Sequence, residues 1–202
     1  TARFLVAKFV AVNGIKTTGE DSIDRLTSEL VKRGHEVVDL GLPVIGVIGA
    51  SRRSIQMRNG RLLRDAVVSN FGEGARVNVI THSNGAPTLF RSMWFAGVRY
   101  DSLFVFNAAF RSDWAWPAEG FQKMYNIYNP FDKALKWGER SRWLMPNHIF
   151  GSLGRTGYDG PPDRRIICQS NAFRDGKNWH NPWHRWDLAE FWAEWIDERV
   201  DS

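Results

Sequence analysis

The stretch RVNVITHSNGAPTLFRSMWF, residues 76–95, decides the fold class and the candidate chemistry of this chain. Its first part, residues 76–81, is an apolar run with several β-branched side chains, which predicts a buried strand. This strand leads straight to Ser83, and the run that begins at Gly85 predicts a helix. A sharp turn from a strand to a helix exposes a serine hydroxyl and is typical of a serine that acts as a nucleophile.

The residues around Ser83 match this kind of turn on one side only. Gly85 supplies a small residue two positions after the serine, where the turn needs space. Two positions before the serine, Thr81 stands where a glycine is usual. The same residues also fit an ordinary Ser-Asn-Gly turn, so the choice between the two interpretations depends on the rest of the chain.

Predicted strands and helices alternate along the chain. Strands are expected at residues 3–12, 35–42, 76–81, 100–107, 123–128 and 164–169, and helices at residues 20–33, 60–71, 85–95 and 187–200, with a loop at residues 44–58. This alternation predicts one α/β domain over residues 1–202, with a mostly parallel sheet and helices on both faces. Ligands bind beyond the carboxyl ends of such strands. The residues at these ends are Asn13, Ser83, Asn107 and Asn129.

The composition is that of an ordinary globular protein. Of the 202 residues, 43% are hydrophobic and 24% are charged, and the single cysteine, Cys168, excludes an internal disulfide and a cysteine-based zinc site. The net charge is +5, but the arginines are scattered, which favours a solvated surface over a specific nucleic-acid partner. No apolar stretch is long enough to span a membrane and no signal peptide is visible, so we expect a soluble, cytoplasmic protein. The oligomeric state stays open.

Two further segments make the chain resemble the α/β-hydrolase superfamily, and in particular its small lid-less bacterial lipases and esterases. The first is AVNGIKTTGEDSIDRLTSELVKRGHEV, residues 11–37, which is similar to the strand, glycine turn and helix that open the lipase domain. The second is NIYNPFD, residues 126–132, which is similar to the loop that carries the lipase acid. The resemblance implies an α/β-hydrolase fold with a catalytic serine, an acid and a histidine in that chain order.

The resemblance also implies an oxyanion hole. In these lipases, one donor is the N–H that follows the glycine of the first turn, which corresponds to Ile15, and the other is the N–H after the nucleophile, which corresponds to Asn84. Asn13 and Gly14 stand where the family usually has His-Gly, and we expect both to lie at the substrate site. Fixed donors at the place where negative charge develops contribute about 3–4 kcal/mol each.

The acid of the predicted triad is Asp132, which lies just beyond the strand at residues 123–128. The similarity of its loop to the acid loop of lipases supports this assignment. Asp113, which follows the preceding strand, is the alternative. An acid in this role would hold the catalytic histidine in its productive tautomer.

Two histidines, His180 and His184, lie between the last strand and the final helix, and either fits the role of the base. Asp187 and Glu190 form a capping-box pattern, which would place His184 just before a rigid helix and gives it a slight preference. If Asn181 caps the helix instead, His184 moves into the helix. His180 then becomes the loop residue that reaches the serine.

These residues together predict a serine esterase or lipase-like enzyme that cleaves carboxylic esters through an acyl-enzyme and needs no cofactor or metal. The short stretch between Asn107 and Asp132 has no room for a cap domain, so we expect an open site for a small-molecule or lipid-like ester. Trp114 and Trp116 are expected to line it, and His82 is expected to be either structural or pocket-lining. A thioesterase or peptidase on the same fold, or a catalytically inert binding module, are the alternatives.

Overall fold

The computed structural model describes residues 6–14, 23–42, 52–96, 98–141, 150–171, 180–183 and 185–200. The strands are β1 (Lys8–Val12), β2 (Glu36–Leu40), β3 (Arg76–His82), β4 (Arg99–Phe106), β5 (Phe121–Tyr128) and β6 (Ile166–Ser170). The helices are α1 (Asp24–Lys32), α2 (Arg53–Phe71), α3 (Gly85–Ser92), α4 (Lys133–Ser141), α5 (Leu153–Thr156) and α6 (Trp186–Val200).

The six strands form one sheet in the order β2-β1-β3-β4-β5-β6, and neighbouring strands are all parallel. The predicted α/β architecture is therefore confirmed. Because the strands are parallel, their carboxyl ends lie along one edge, which brings together the residues that follow β1, β3, β4, β5 and β6. A loop connects β4 to β5, and no cap domain stands over this edge within the described residues.

The two faces of the sheet carry separate apolar cores, because successive residues of a strand point to opposite faces. Val10 and Val79 pack on one face with residues of α2, α3 and α5. Phe9 and Ile80 pack on the other face with residues of α1 and α6. Burial on both faces explains why the central strands are almost continuous apolar runs. Among the described helices, none has the length and apolar character that a membrane crossing requires.

Helix α2 begins earlier than the sequence predicted. Residues 53–58 are helical, so the loop prediction was wrong for them, and Gly60 lies inside the helix instead of at its start. A Cβ at Gly60 would lie 2.8 Å from the main-chain nitrogen of Ser92 and 2.9 Å from Cβ of Arg91. This glycine is therefore explained by the close crossing of α2 and α3, which is a tertiary contact. Residues 43–51 lie outside the described residues.

Three other elements differ from the prediction. Helices α4 and α5 were not predicted at all, since both are short and contain glycine. The capping box at Asp187 and Glu190 was wrong, because α6 begins at Trp186 and Asp187 lies inside its first turn. There the carboxylate of Asp187 forms an ion pair with Arg185.

Candidate active site

Ser83 lies directly beyond β3 in a backbone conformation that residues other than glycine rarely adopt. Its φ angle is +51°, which is the left-handed region. Its main-chain nitrogen donates to the oxygen of Phe106 at 3.0 Å, and its main-chain oxygen accepts from the nitrogen of Ala109 at 2.9 Å. The turn is thus fixed against the end of β4, and its strain is balanced by these contacts.

The absence of a side chain at Gly85 makes room for the side chain of Thr81 at this turn. A Cβ at Gly85 would lie 2.4 Å from Oγ1 of Thr81 and 2.4 Å from the main-chain oxygen of Val12. Thr81 itself is fully buried. The missing side chain at position 85 therefore gives space to the threonine that stands where glycine is usual, and the departure from the pattern still permits a tight turn.

A chain of hydrogen bonds joins Ser83 to His180 and His180 to Asp132. The hydroxyl oxygen of Ser83 lies 2.8 Å from Nε2 of His180, and Nδ1 of His180 lies 2.6 Å from Oδ2 of Asp132. Asp132 is fully buried. Since an ionised carboxylate only accepts hydrogen bonds, Nδ1 of the neutral imidazole carries the proton and Nε2 is the acceptor for the serine hydroxyl. This arrangement can take a proton from Ser83.

Asp132 also holds the start of α4. Its Oδ1 accepts from the main-chain nitrogen of Leu135 at 2.9 Å, which is the geometry of a helix cap. The turn before it is closed by Asn129, whose side-chain oxygen accepts from the nitrogen of Phe131 at 3.0 Å. One oxygen of Asp132 is therefore engaged by a rigid helix, and this contact aims the other oxygen at His180.

The main chain of His180 is held by two side chains at strand ends. Its carbonyl oxygen accepts from Nε2 of His82 at 2.9 Å and from Nδ2 of Asn107 at 2.7 Å. Asn107 is fully buried with a φ of +43°, and Nδ2 of Asn171 donates to its side-chain oxygen at 3.3 Å. These contacts fix the short loop that carries the histidine.

His82 is neutral in this position. Burial, reinforced by the nearby His180, lowers the pKa of His82 from 6.5 to about 3. The ring of His82 lies 4.7 Å from the ring of His180 and 5.1 Å from that of Trp183. The sequence left two roles open for this residue, structural or pocket-lining, and in the structure its Nε2 faces the main-chain oxygen of His180. Its signal in the sequence was only its position next to the serine.

The alternative triad residues occupy other surroundings. Asp113 forms an ion pair with Arg111 and is about half exposed, whereas the carboxylate at His180 belongs to Asp132. His184, which the sequence slightly favoured as the base, lies outside the described residues. The geometry favours His180 as the base. In the described part of the chain, no three His, Cys, Asp or Glu side chains are grouped to hold a metal ion.

The turn after β1 lies against the turn that carries Ser83. A Cβ at Gly14 would lie 3.1 Å from both the main-chain nitrogen of Asn84 and Cβ of Ser83. Oδ1 of Asn13 accepts from the nitrogen of Gly14 at 2.9 Å, which stabilises this turn. The main-chain nitrogen of Asn84 therefore lies beside the turn after β1. Ile15, the other expected donor, lies outside the described residues.

The two tryptophans of the loop after β4 have different environments. Trp116 is only 5% exposed, and its ring lies 5.5 Å from the rings of Phe90 and Phe110. It therefore packs in the core. Trp114 is partly exposed, and the guanidinium of Arg111 lies 5.6 Å from its ring. Of the two, Trp114 is the ring that reaches the surface.

Comparisons with known proteins give structural similarity without sequence similarity. No family model and no curated protein sequence matches the chain. A protein from Xanthomonas campestris pv. campestris, assigned to the alpha/beta superfamily of hydrolases, has 13% identity and a TM-score of 0.46, over 95% of this chain and 99% of that one. The pyrethroid hydrolase PytH has 12% identity and a TM-score of 0.45, over 98% of each chain. Sequence identities and TM-scores this low do not transfer an activity, so the activity has to be inferred from the side chains of this protein.

Proposed function

We propose that this protein is a serine hydrolase that cleaves carboxylic esters through an acyl-enzyme. The observation that carries the proposal is the continuous hydrogen-bond chain from Ser83 through His180 to the buried Asp132, with distances of 2.8 and 2.6 Å. These three groups have the residue types, order and contacts that acyl transfer requires of a nucleophile, a base and an orienting acid.

In the acylation step, the hydroxyl oxygen of Ser83 attacks the carbonyl carbon of the ester while its proton passes to Nε2 of His180. The imidazolium that forms is stabilised by the ionised Asp132 at Nδ1. Negative charge develops on the carbonyl oxygen, where the N–H of Asn84 is the proposed donor. When the tetrahedral intermediate collapses, the bond to the leaving alkoxide breaks and Nε2 of His180 returns the proton to it.

In the deacylation step, the same groups act on water. His180 takes a proton from a water molecule, whose oxygen attacks the acyl carbon on Ser83. The second tetrahedral intermediate collapses to release the carboxylic acid, and the proton returns to the serine oxygen. The cycle restores all three side chains and consumes one ester and one water.

The cost of this arrangement supports an enzyme over an inert binding module. Left-handed backbone at non-glycine residues such as Ser83 and Asn107 costs on the order of 1–3 kcal/mol each. A carboxylate buried as completely as Asp132 also needs dedicated partners. Catalysis gives a reason to keep these features together at one sheet edge, and such strain is common at active sites.

A serine-directed fluorophosphonate and a panel of p-nitrophenyl esters test the proposal. We expect the wild-type protein to be labelled at Ser83 and to hydrolyse short esters, while Ser83→Ala keeps its fold and loses both properties. A thioester and an anilide of the same acyl group, measured in parallel, separate ester cleavage from thioesterase and peptidase activity. Absence of labelling and of hydrolysis in a folded wild-type protein contradicts the proposal.

A further inference from the structure

Helix α4 presents a basic and aromatic surface to solvent. Lys133, Lys136, Trp137 and Arg140 are all exposed, and Trp137 has 64% of its surface accessible. Their spacing of i, i+3, i+4 and i+7 places them on one side of the helix. Phe131, which is 59% exposed, lies in the turn just before α4. We call these five residues the α4 face.

The α4 face has a single sign of charge. Only two acids occur between residues 131 and 141, and neither of them opposes the exposed cations. Asp132 is fully buried against His180, and Glu139 forms an ion pair with Arg155. The opposite side of the helix is anchored by Leu135, which is 4% exposed. The helix therefore differs from an ordinary amphipathic helix, because its solvent-exposed side carries a large aromatic ring as well as cations.

We infer that the α4 face seats the protein on an anionic lipid surface. The three cations are complementary to anionic headgroups, and each Lys or Arg near such a surface strengthens binding. Trp137 and Phe131 supply apolar rings for the boundary between headgroups and acyl chains, where tryptophan is especially favourable. The long stems of Lys133 and Arg140 can pack beside the rings while their charged ends stay at the headgroups.

Shape favours a lipid surface over a single-stranded nucleic acid. Proteins that bind single strands combine a basic groove with stacking platforms. The α4 face is the exposed side of one helix, which is convex, and Phe131 at its amino end is purely apolar. A convex helix with aromatic anchors and flanking cations suits insertion into the plane of a membrane interface.

The position of α4 connects this surface to the candidate active site. Asp132 caps α4 with one oxygen and binds His180 with the other, so the helix and the hydrogen-bond chain meet at one residue. A protein seated through the α4 face therefore holds its catalytic edge next to the lipid. Such a position would let the site take up esters from the lipid surface. That consequence rests on the proposed function, whereas the binding to lipid does not.

Co-sedimentation with lipid vesicles tests the inference. The wild-type protein is expected to bind vesicles made of equal parts phosphatidylcholine and phosphatidylglycerol, and to bind pure phosphatidylcholine much more weakly. The triple variant Lys133→Gln/Lys136→Gln/Arg140→Gln is expected to lose on the order of a hundredfold in affinity. Wild-type binding that is equal for the two kinds of vesicle, or absent from both, overturns the inference.

A matched triple variant controls for net charge. Arg52, Arg58 and Arg61 are exposed at or within α2, and Arg52→Gln/Arg58→Gln/Arg61→Gln removes the same three positive charges from a chain with a net charge of +5. We expect this variant to bind the anionic vesicles within a few-fold of the wild type. An equal loss in both triple variants overturns the assignment to α4, since it would reflect overall charge.

A charge-neutral pair of variants tests the aromatic part. Trp137→Ala is expected to weaken vesicle binding about tenfold, while Trp94→Ala, which removes a ring that is 57% exposed elsewhere, leaves it unchanged. Ser83→Ala should bind vesicles like the wild type, which separates this inference from the proposed function. Tight binding of single-stranded polyuridylate by the α4 face without vesicle binding would assign the surface to nucleic acid and overturn the lipid inference.

Discussion

His82 donates from Nε2 to the main-chain oxygen of His180 across 2.9 Å. The residue next to the proposed nucleophile thus holds the backbone of the proposed base, and the two rings lie 4.7 Å apart. Because this donation needs a proton on Nε2 and the ring is buried, the neutral form of His82 is part of the folded structure. We therefore regard His82 as a positioning residue that acts through His180.

The neutral state of His82 predicts that acid destabilises the fold. Its pKa is about 3 in the folded protein and 6.5 in the unfolded chain. Between these values the unfolded chain binds a proton that the folded protein does not, so the free energy of unfolding falls as the pH falls through this window. The expected contribution is about 2–3 kcal/mol between pH 7 and pH 4.5, measured by urea unfolding.

The control for this pH effect is His82→Gln, whose amide can still donate to the oxygen of His180 but does not titrate. The variant should lose less stability than the wild type over the same pH interval, by that same 2–3 kcal/mol. Equal losses in the two proteins would show that His82 is not the titrating group. Activity of the variant at neutral pH reports separately on the donation.

Asp132 contacts His180 with one oxygen and caps α4 with the other. These two contacts predict that activity and stability respond differently to substitution of Asp132. Asp132→Asn should lower kcat about ten-thousandfold, because the amide favours the wrong tautomer of His180. The unfolding free energy should change little, because asparagine caps a helix about as well as aspartate. Asp132→Ala should lose the cap as well, at a cost of about 1 kcal/mol. Esterase kinetics and urea unfolding of both variants, with Asp113→Asn as an active control, check this prediction.

The contact between His180 and Ser83 predicts which histidine is the base. His180→Gln should reduce ester hydrolysis by at least about a thousandfold, since Nε2 of His180 is the acceptor that lies 2.8 Å from the serine hydroxyl. His184→Gln should retain activity within a few-fold of the wild type. A large loss at His184 with a small loss at His180 would return the base to the position that the sequence slightly favoured.

The sequence predicted those parts of the fold that depend on neighbouring residues. The strand before Ser83 and the helix after it could be recognised because both are set by local periodicity and by Gly85. The strand ends at Asn107 and Asn129 followed from the same patterns. The parallel sheet then brought these ends to one edge, as the alternation of elements had indicated.

The sequence could not predict what depends on contacts between distant segments. Gly60 suggested the start of a helix, whereas its real cause is the crossing with Arg91 and Ser92. The choice between His180 and His184 depended on which loop residue meets the serine, and spacing alone does not fix that. The basic surface of α4 was equally invisible, because its cations look scattered until residues 133–141 are known to be helical.

The packing around Gly85 predicts a severe effect from a single methyl group. Gly85→Ala would place Cβ 2.4 Å from the main-chain oxygen of Val12, which cannot move away without disturbing β1. We expect a loss of about 3 kcal/mol in unfolding free energy together with a loss of activity. Gly138→Ala lies inside α4, where the described residues outside the helix backbone place no atom within 4 Å of the new Cβ, and should instead gain about 0.5–1 kcal/mol. Thermal and urea unfolding of the two variants distinguish these outcomes.

The two donors to the carbonyl of His180 predict a coupled loss of activity. Asn107→Gly keeps a left-handed backbone without strain but removes the donor that lies 2.7 Å from this oxygen. We expect kcat to fall about tenfold with little change in KM, because misplacement of the base by about 1 Å costs up to a hundredfold. His82→Phe, which removes the other donor, should have a similar effect. Because each donor supports the loop when the other is lost, the double variant should lose more than the product of the single losses. A double variant that loses only that product would show that the two donors act independently. Effects on KM instead of kcat would show that the donors do not position His180 for catalysis.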